Sequence, residues 1–306
     1  MRADLHIHSR YSDGGYWPTD IAALAKAARL EAVCVTDHDT LGAFPEFAQA
    51  ALAAGLSTWP SVEIDCVDSA TGYRSEILAY FPDGRYTYTE AFLAAGRADR
   101  AAIIEVLFER ARKQLGNKDL GFASIVALRS EGRDPRLPPL DVSSLRFSKT
   151  DLYLALRQAG VVPKKTSYKE FKKSYFDTGM FSDARFVKPE LAVVSEIVRR
   201  DGGVLVIPHL GHEFGDSARD LNARRDRLDT VLRRFKELGV RGVELYDYHN
   251  SDTAALNKIM KERCEKFGLF HTYGSDTHGP GSLKNDIGAF YGDFGGFSTR
   301  KKHGKG

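Results

Sequence analysis

The stretch "ADLHIHSRYSDGG", residues 3–15, opens the chain with two histidines one residue apart, then an aspartate and two glycines. "ADLHIH" reads as a β-strand. Side chains alternate between the faces of a strand, so His6 and His8 share one side. Two imidazoles there are either a packing accident or the first half of a metal site. The neighbouring elements decide between these readings. "PTDIAALAKAARLE" (18–31) reads as a helix, with Pro18 near its start and Thr19 or Asp20 as cap. "AVCVTDHD" (32–39) is a β-branched buried strand, and "FPEFAQAALAAG" (44–55) a helix ending at Gly55. "STWPSVEIDCV" (57–67) and "RSEILAYF" (74–81) read as strands.

The alternation returns late in the chain. "PELAVVSEIVRRDGG" (189–203), "LDTVLRRFKELG" (228–239) and "DTAALNKIMKERCEKFG" (252–268) read as helices. "VLVIPHLG" (204–211), "RGVELYDYH" (241–249) and "LFHTYGSDTHGP" (269–280) read as strands between and after them. Strands separated by helices imply parallel pairing with right-handed crossovers. Residues 87–189 break the rhythm with one long helix over 89–116, a Pro-rich loop over 132–144 and further helices over 149–160 and 167–177. The chain therefore reads as a barrel-like α/β domain, residues 1–86 and 190–290, with a mostly helical insertion at 87–189. Residues 291–306, ending in the basic "TRKKHGKG", read as a disordered tail.

Bulk properties narrow the class. A chain of 306 residues with 42% hydrophobic content can bury a large core. It has no apolar run near 18 residues, so no membrane span is expected. The N-terminus lacks the apolar region of a signal peptide, and three scattered cysteines make no disulfide framework. Cys34, in an apolar run, reads as a reduced, buried thiol. A cytoplasmic protein is the expectation. Net charge is +3, but Arg85 to Glu190 holds 20 Lys+Arg against 13 Asp+Glu, which is +7 and leaves −4 elsewhere. That asymmetry suits carboxylate-held metal beside a segment that attracts anions; a solvated basic surface is the alternative.

In parallel α/β barrels, functional side chains gather where strands end. His6 and His8 lie on strand one and Asp13 in the loop after it. Asp37, His38 and Asp39 end strand two, Glu63 ends the next, and Glu76 lies in the following strand. His209 ends "VLVIPH", and Asp276 and His278 end the last strand. Singly, each has a bland reading as a hydrogen-bonded structural histidine or a turn aspartate. Jointly, they would pile up uncompensated polar and charged groups unless cations bind. Imidazole with carboxylate suits Zn, Mn or Fe, and the absence of thiolates argues against a structural cysteine-type zinc site.

The blocks "DLHIHSRYSDGG", "VTDHDTLGA", "SVEID", "VLVIPH" and "YGSDTHG" resemble, in order and spacing, the successive motifs of the PHP (polymerase and histidinol phosphatase) superfamily. The resemblance covers residues 3–81 and about 190–280. It implies a distorted (β/α)7 barrel holding two or three divalent metals, with Mg admissible beside Mn, Zn and Fe. His6, His8, Glu63 and Asp276 resemble the ligands of one ion, and Asp13, His38 and His278 those of a second. A bridging Glu63 with Glu76 and His209 resembles the third set. Where family members carry His, this chain has Glu76, either as a ligand or as a carboxylate behind one. His6, His8, Asp13, His38, Glu63, His209, Asp276 and His278 make up the implied catalytic set. Asp37 or Asp39 is expected to orient a ligand imidazole or to carry protons.

The insertion is similar to that of PHP enzymes acting on nucleotide phosphates and the 5′ ends of short RNAs. Where those commonly read Arg-Pro-His, this chain reads Arg146-Phe147-Ser148. Arg146 and Lys149 are the first candidates for binding substrate phosphate, with Lys188 and His249 next; ordinary surface or structural roles are the alternatives for the last two. His212 is placed at the rim. The implied reaction is hydrolysis of a small phosphomonoester, nucleotides being the favoured class, by hydroxide held between ions. The alternatives are an amidohydrolase-type C–N hydrolase, an exonuclease on short nucleic acid, and a metal-binding scaffold without turnover. Subunit number is not encoded in these motifs.

Overall fold

Strand β1 (Arg2–Ile7) pairs with two strands: parallel to β2 (Ala32–Val35) and antiparallel to a short β8 (Gly292–Asp293). The computed structural model describes residues 1–117, 120–280, 282 and 284–297. The second sheet runs β3 (Ser61–Asp65), β4 (Glu76–Tyr80), β5 (Val204–Ile207), β6 (Val240–Tyr246), β7 (Phe270–Gly274) in that spatial order. Hydrogen bonding thus divides the strands into a three-stranded and a five-stranded sheet rather than one closed ring. Isolated bridges, Ile7 with Thr277 and His38 with Glu63, tie the two sheets together at the strand ends. Parallel pairing holds for β1–β2 and for β5–β6–β7. It fails for β4, which pairs antiparallel to both β3 and β5. The reason is local: β3 and β4 are joined by the loop over 66–75 with no crossover helix, so the chain simply reverses.

Helices α1 (Pro18–Ala27) and α2 (Phe44–Ala54) follow the first two strands. Trp17, not Thr19 or Asp20, is the N-cap of α1; Asp20 instead accepts the Trp17 N–H at 3.2 Å from the third helical position. The long helix α3 (Thr87–Leu115) starts where Asp201 accepts the N–H groups of Tyr88 and Thr89 at 3.2 and 2.7 Å. Then come α4 (Phe122–Ser130), which periodicity did not reveal, α5 (Lys149–Gln158) and α6 (Tyr168–Phe171), the last continuing as a π-helical turn over Lys172–Asp177. Helices α7 (Leu191–Arg200), α8 (Ala218–Ala223), α9 (Arg225–Glu237) and α10 (Thr253–Phe267) complete the set.

Three apolar clusters hold these layers. One packs α7, α9 and α10 on β3–β7 through residues such as Val194, Leu232, Phe235 and Ile207. A second joins α1, α2 and the helical segment through Phe47, Phe108, Phe147 and Leu152. A third, Ala3, Leu5, Cys34, Leu78, Tyr80 and Val206, glues one sheet to the other. The expected tail divides: Phe294 is buried in that third cluster and Phe297 packs against it, so residues 292–297 are folded onto β1, while 298–306 lie outside the described residues. Cys34 is buried and free. No helix among the described residues is long and apolar enough to cross a membrane.

Candidate metal centre

The ends of β1, β2, β3, β5 and β7 converge. The loop after β1 can fold back to deliver Asp13 because Gly14 follows it; a Cβ at Gly14 would overlap the His8 carbonyl. Asp37 fixes this loop from β2, accepting the Ser9 N–H at 2.7 Å and the Ser9 and Ser12 hydroxyls at 2.6 and 2.5 Å. Beneath His6, Gly274 leaves room that a side chain would take from Glu244. Asp39, His209 and Asp276 hold left-handed backbone, with φ of 49°, 25° and 52°. Such strain in non-glycine residues concentrates at functional sites.

Three groups of side chains each place one donor atom apiece within 4.8 Å of one another. The first is His6, His8, Glu63 and Asp276, all buried; the second His8, Asp13, His38 and His278; the third Glu63, Glu76 and His209. Glu63 sits at the junction. Its Oε2 lies 3.3 Å from His6 Nε2, 3.2 Å from His8 Nε2 and 3.2 Å from His38 Nδ1. Its Oε1 faces His209 Nε2 at 3.2 Å. Asp276 Oδ1 lies 3.1 Å from His8 Nε2, and Asp13 Oδ1 lies 3.4 Å from His278 Nε2.

Burial and mutual attraction between imidazoles and carboxylates set the charges in this cluster. Burial opposes ionisation of Glu63, Asp13 and Asp276, yet the surrounding imidazoles outweigh it and hold all three well below the usual carboxylate range. Burial likewise opposes charge on His8, but Asp276 and Glu63 lift it to about 10. Burial lowers His38, and burial together with the Glu63 charge pushes Glu76 up. His6 Nε2 and His8 Nε2 face each other at 3.1 Å. Asp13 Oδ1 and His38 Nδ1 are buried with no hydrogen-bond partner. Orphaned lone pairs converging with carboxylates fit divalent cations, so the residues present suit the implied metals.

The expected substrate contacts fare differently. Arg146 is buried: Nη2 donates to Asp65 Oδ2 at 2.7 Å, while Nε lies 3.5 Å from Asp39 Oδ2 without a hydrogen-bond partner. Lys188 links Asp65 Oδ1 and Glu76 Oε1, at 3.2 Å each. Lys149 lies over the rings of Phe176 and Phe186, at 4.4 and 5.4 Å, and does not enter the cluster. His249 is exposed beside Tyr246, with ring centroids 6.1 Å apart, and His212 bonds Asp216 at 2.6 Å. Asp37 reaches an imidazole only through Ser12, whose hydroxyl is 3.4 Å from His8 Nδ1. Among the described residues Asp39 pairs with no imidazole; it sits with Arg100, Arg146 and the Asp65 N–H. Ser148, standing where the family pattern has His, caps α5, accepting the Thr150 N–H at 3.1 Å while Asp151 takes the Ser148 N–H at 2.7 Å.

Two residues escaped the sequence reading. Glu244 on β6 accepts from His6 Nδ1 at 2.8 Å and from the His209 N–H at 2.9 Å, so one carboxylate aligns two candidate ligands. A lone acid inside the apolar run "GVELY" was its only signal. Lys284 bonds Asp276 Oδ2, leaving Oδ1 to face the histidines, and reaches Tyr246 Oη at 2.9 Å; no motif marks it. A cavity of about 770 Å³ opens on this side, with Asp13, His278, Lys284, Arg10, Arg129, Tyr153 and Tyr168 in its lining.

Residues 4–120 match the PHP domain family, and the chain belongs to the PHP family of metal-dependent phosphoesterases. It is 30% identical over 292 residues to a 3′,5′-nucleoside bisphosphate phosphatase of Chromobacterium violaceum, across 93% of this chain and 90% of that one. It is 24% identical to a phosphoribosyl 1,2-cyclic phosphate 1,2-diphosphodiesterase of Eggerthella lenta, across 91% and 95% of the two chains. In fold it is similar to a candidate metal-dependent phosphoesterase of Bifidobacterium adolescentis, with a TM-score of 0.67, 22% identity and coverage of 92% and 90%. An amidohydrolase of C. violaceum, solved with bound sulfate and no metal, has a TM-score of 0.69 at 22% identity, covering 94% and 92%. At that identity both structures speak for the fold alone.

Proposed function

We propose that this protein hydrolyses small phosphomonoesters, nucleotides foremost, with two or three divalent ions as cofactor. The observation that carries this is the single cavity in which Asp13 and His278 share a lining with Lys284, Arg10 and the rings of Tyr153 and Tyr168. It offers donors for cations, positive charge for an anion and flat surface for an organic body. The named relatives, a nucleoside bisphosphate phosphatase and a phosphoribosyl cyclic phosphate diphosphodiesterase, support the same substrate class. Residues 1–86 and 190–290 are read as a distorted (β/α)7 barrel, supported by the bridges that link its two sheets, with 87–189 as the insertion.

We assign His6, His8, Glu63 and Asp276 to one ion, Asp13, His38 and His278 to a second, and Glu63, Glu76 and His209 to a third; the proximity of their donor atoms supports this. Divalent ions in these positions would supply Lewis acidity and a lowered pKa for attacking water. The chain's own residues do the rest. Glu63 directs its two oxygens to different ligand groups. Glu244 fixes the His6 ring and the His209 backbone. Lys284 keeps Asp276 Oδ2 engaged and adds a cation at the cavity edge, where phosphate oxygens would arrive. Arg146, held by Asp65 and Asp39, acts more by neutralising the wall beside His38 than by free contact with phosphate.

The test is phosphate release by metal-loaded protein from a panel of nucleotides, sugar phosphates and 5′-phosphorylated oligonucleotides. His8→Ala and Asp276→Ala should each reduce release to background and lower bound metal. Unchanged turnover in both would sink the reading, and turnover of amides without phosphatase activity would replace it.

A further inference from the structure

We propose that Arg10 and Arg129 form a second anion subsite in the cavity beside Asp13 and His278, selecting small substrates that carry another phosphate besides the one hydrolysed. This rests on the phosphoesterase reading above and names its substrate class.

Arg10 lies in the same loop as Asp13. Its guanidinium sits over the Trp17 ring at 5.2 Å and donates from Nη2 to the Leu128 carbonyl at 3.2 Å. Among the described residues no carboxylate comes within 4.0 Å of it, and Glu131 and Asp20 act on it only from farther away. Another guanidinium, Arg133, also lies over the Trp17 ring, at 5.0 Å, itself paired with Glu46. Arg129, on α4, is more than nine-tenths buried. Its Nη1 pairs with Asp151 at 3.0 Å and its Nη2 donates to the Arg10 carbonyl at 2.5 Å, but its Nε is buried without a partner. Among the described residues, Asp151 is the one carboxylate paired with either arginine, and its other oxygen is committed to Ser148.

Two guanidiniums at close quarters with one engaged carboxylate repel each other, and burial makes this worse. Both arginines line the cavity that Asp13 and His278 line. An anion in this position therefore shares one chamber with the metal ligands. Guanidinium forks match phosphate oxygens, and Arg10 has free N–H groups to offer. Tyr153 and Tyr168 line the same cavity and supply ring surface for a nucleoside between the two phosphates.

The experiment compares kcat/KM for adenosine 3′,5′-bisphosphate with that for adenosine monophosphates, in the wild type, Arg10→Gln and Arg10→Lys. The wild type should prefer the bisphosphate. In Arg10→Gln the bisphosphate-to-monophosphate ratio should fall about tenfold or more, the loss expected of a charge-assisted hydrogen bond, and Arg10→Lys should restore part of it. An unchanged ratio overturns the subsite while leaving the phosphatase reading intact. So does a loss confined to 5′-phosphorylated short RNA, which would make the arginines a nucleic-acid contact. If the wild type releases phosphate from nothing, the phosphatase reading falls instead. Calorimetry of adenosine 3′,5′-bisphosphate binding to the metal-free protein then still judges the subsite: affinity weakened about tenfold by Arg10→Gln supports it, and no binding overturns it.

Discussion

Two sets of buried carboxylates lie side by side in this molecule and behave differently. Asp39 and Asp65, at the ends of β2 and β3, face Arg100, Arg146 and Lys188 at 2.7–3.5 Å. Glu63, two residues before Asp65, faces only imidazoles, as does Asp13. The first set is neutralised by guanidiniums, which keep their protons, and by Lys188, on which burial opposes charge but Asp65 and Glu76 push the pKa up. The second is matched by groups that give up theirs, so it can exchange protons for metal ions. A buried acid therefore says little about a metal site by itself; the chemistry of its partner carries the information.

The largest expected effect probes the neutralised wall. Arg146→Ala should cost about 3–5 kcal/mol in denaturant unfolding, because it leaves Asp65 and Asp39 buried with reduced pairing, yet metal uptake should persist. Loss of metal in parallel with stability would show that the two sets form one unit. Next, Glu244→Gln removes the carboxylate aligning His6 and His209 and should weaken metal affinity about 10–100-fold, read by competition with a chromogenic chelator. A smaller effect comes from pH. His8, raised to about 10 in the metal-free protein, carries a proton at neutral pH that a metal must displace. Metal affinity should therefore rise with pH below about 10, by about 1.4 kcal/mol per pH unit for each proton released. Calorimetry in buffers of different ionisation enthalpy would count those protons, and a pH-independent affinity would break the contrast. Least of all, Ser148→Ala removes a helix cap that bonds Thr150 and Asp151 rather than a candidate ligand. It should lower thermal stability by about 1 kcal/mol and leave metal content unchanged.

The histidine pair on β1 was legible because strand alternation puts both rings on one side, and the strand-end rule then gathered Asp13, His38, Glu63, His209 and Asp276. Glu76, the departure from the family pattern, also comes within reach of Glu63 and His209. Periodicity says which face a residue occupies but not what comes to meet it. Hence Arg146 was expected as a free phosphate contact, whereas Asp65 and Asp39 already engage it. Glu244 and Lys284 were missed for the same reason: each lies outside the motif blocks and matters only through its partners, His6 and His209 for Glu244 and Asp276 for Lys284. The strand β8 likewise depends on long-range pairing, whereas the reversal of β4 follows from the short, helix-free loop over 66–75.

The left-handed backbone at Asp39, His209 and Asp276 has a kinetic consequence. Each such residue costs about 1–3 kcal/mol, and that cost is met while the chain folds. An arriving ion finds the strand ends already bent, with no loop to recruit. Its capture should then be governed by diffusion, dehydration and proton departure, and should show a single concentration-dependent phase in stopped flow rather than a later unimolecular step.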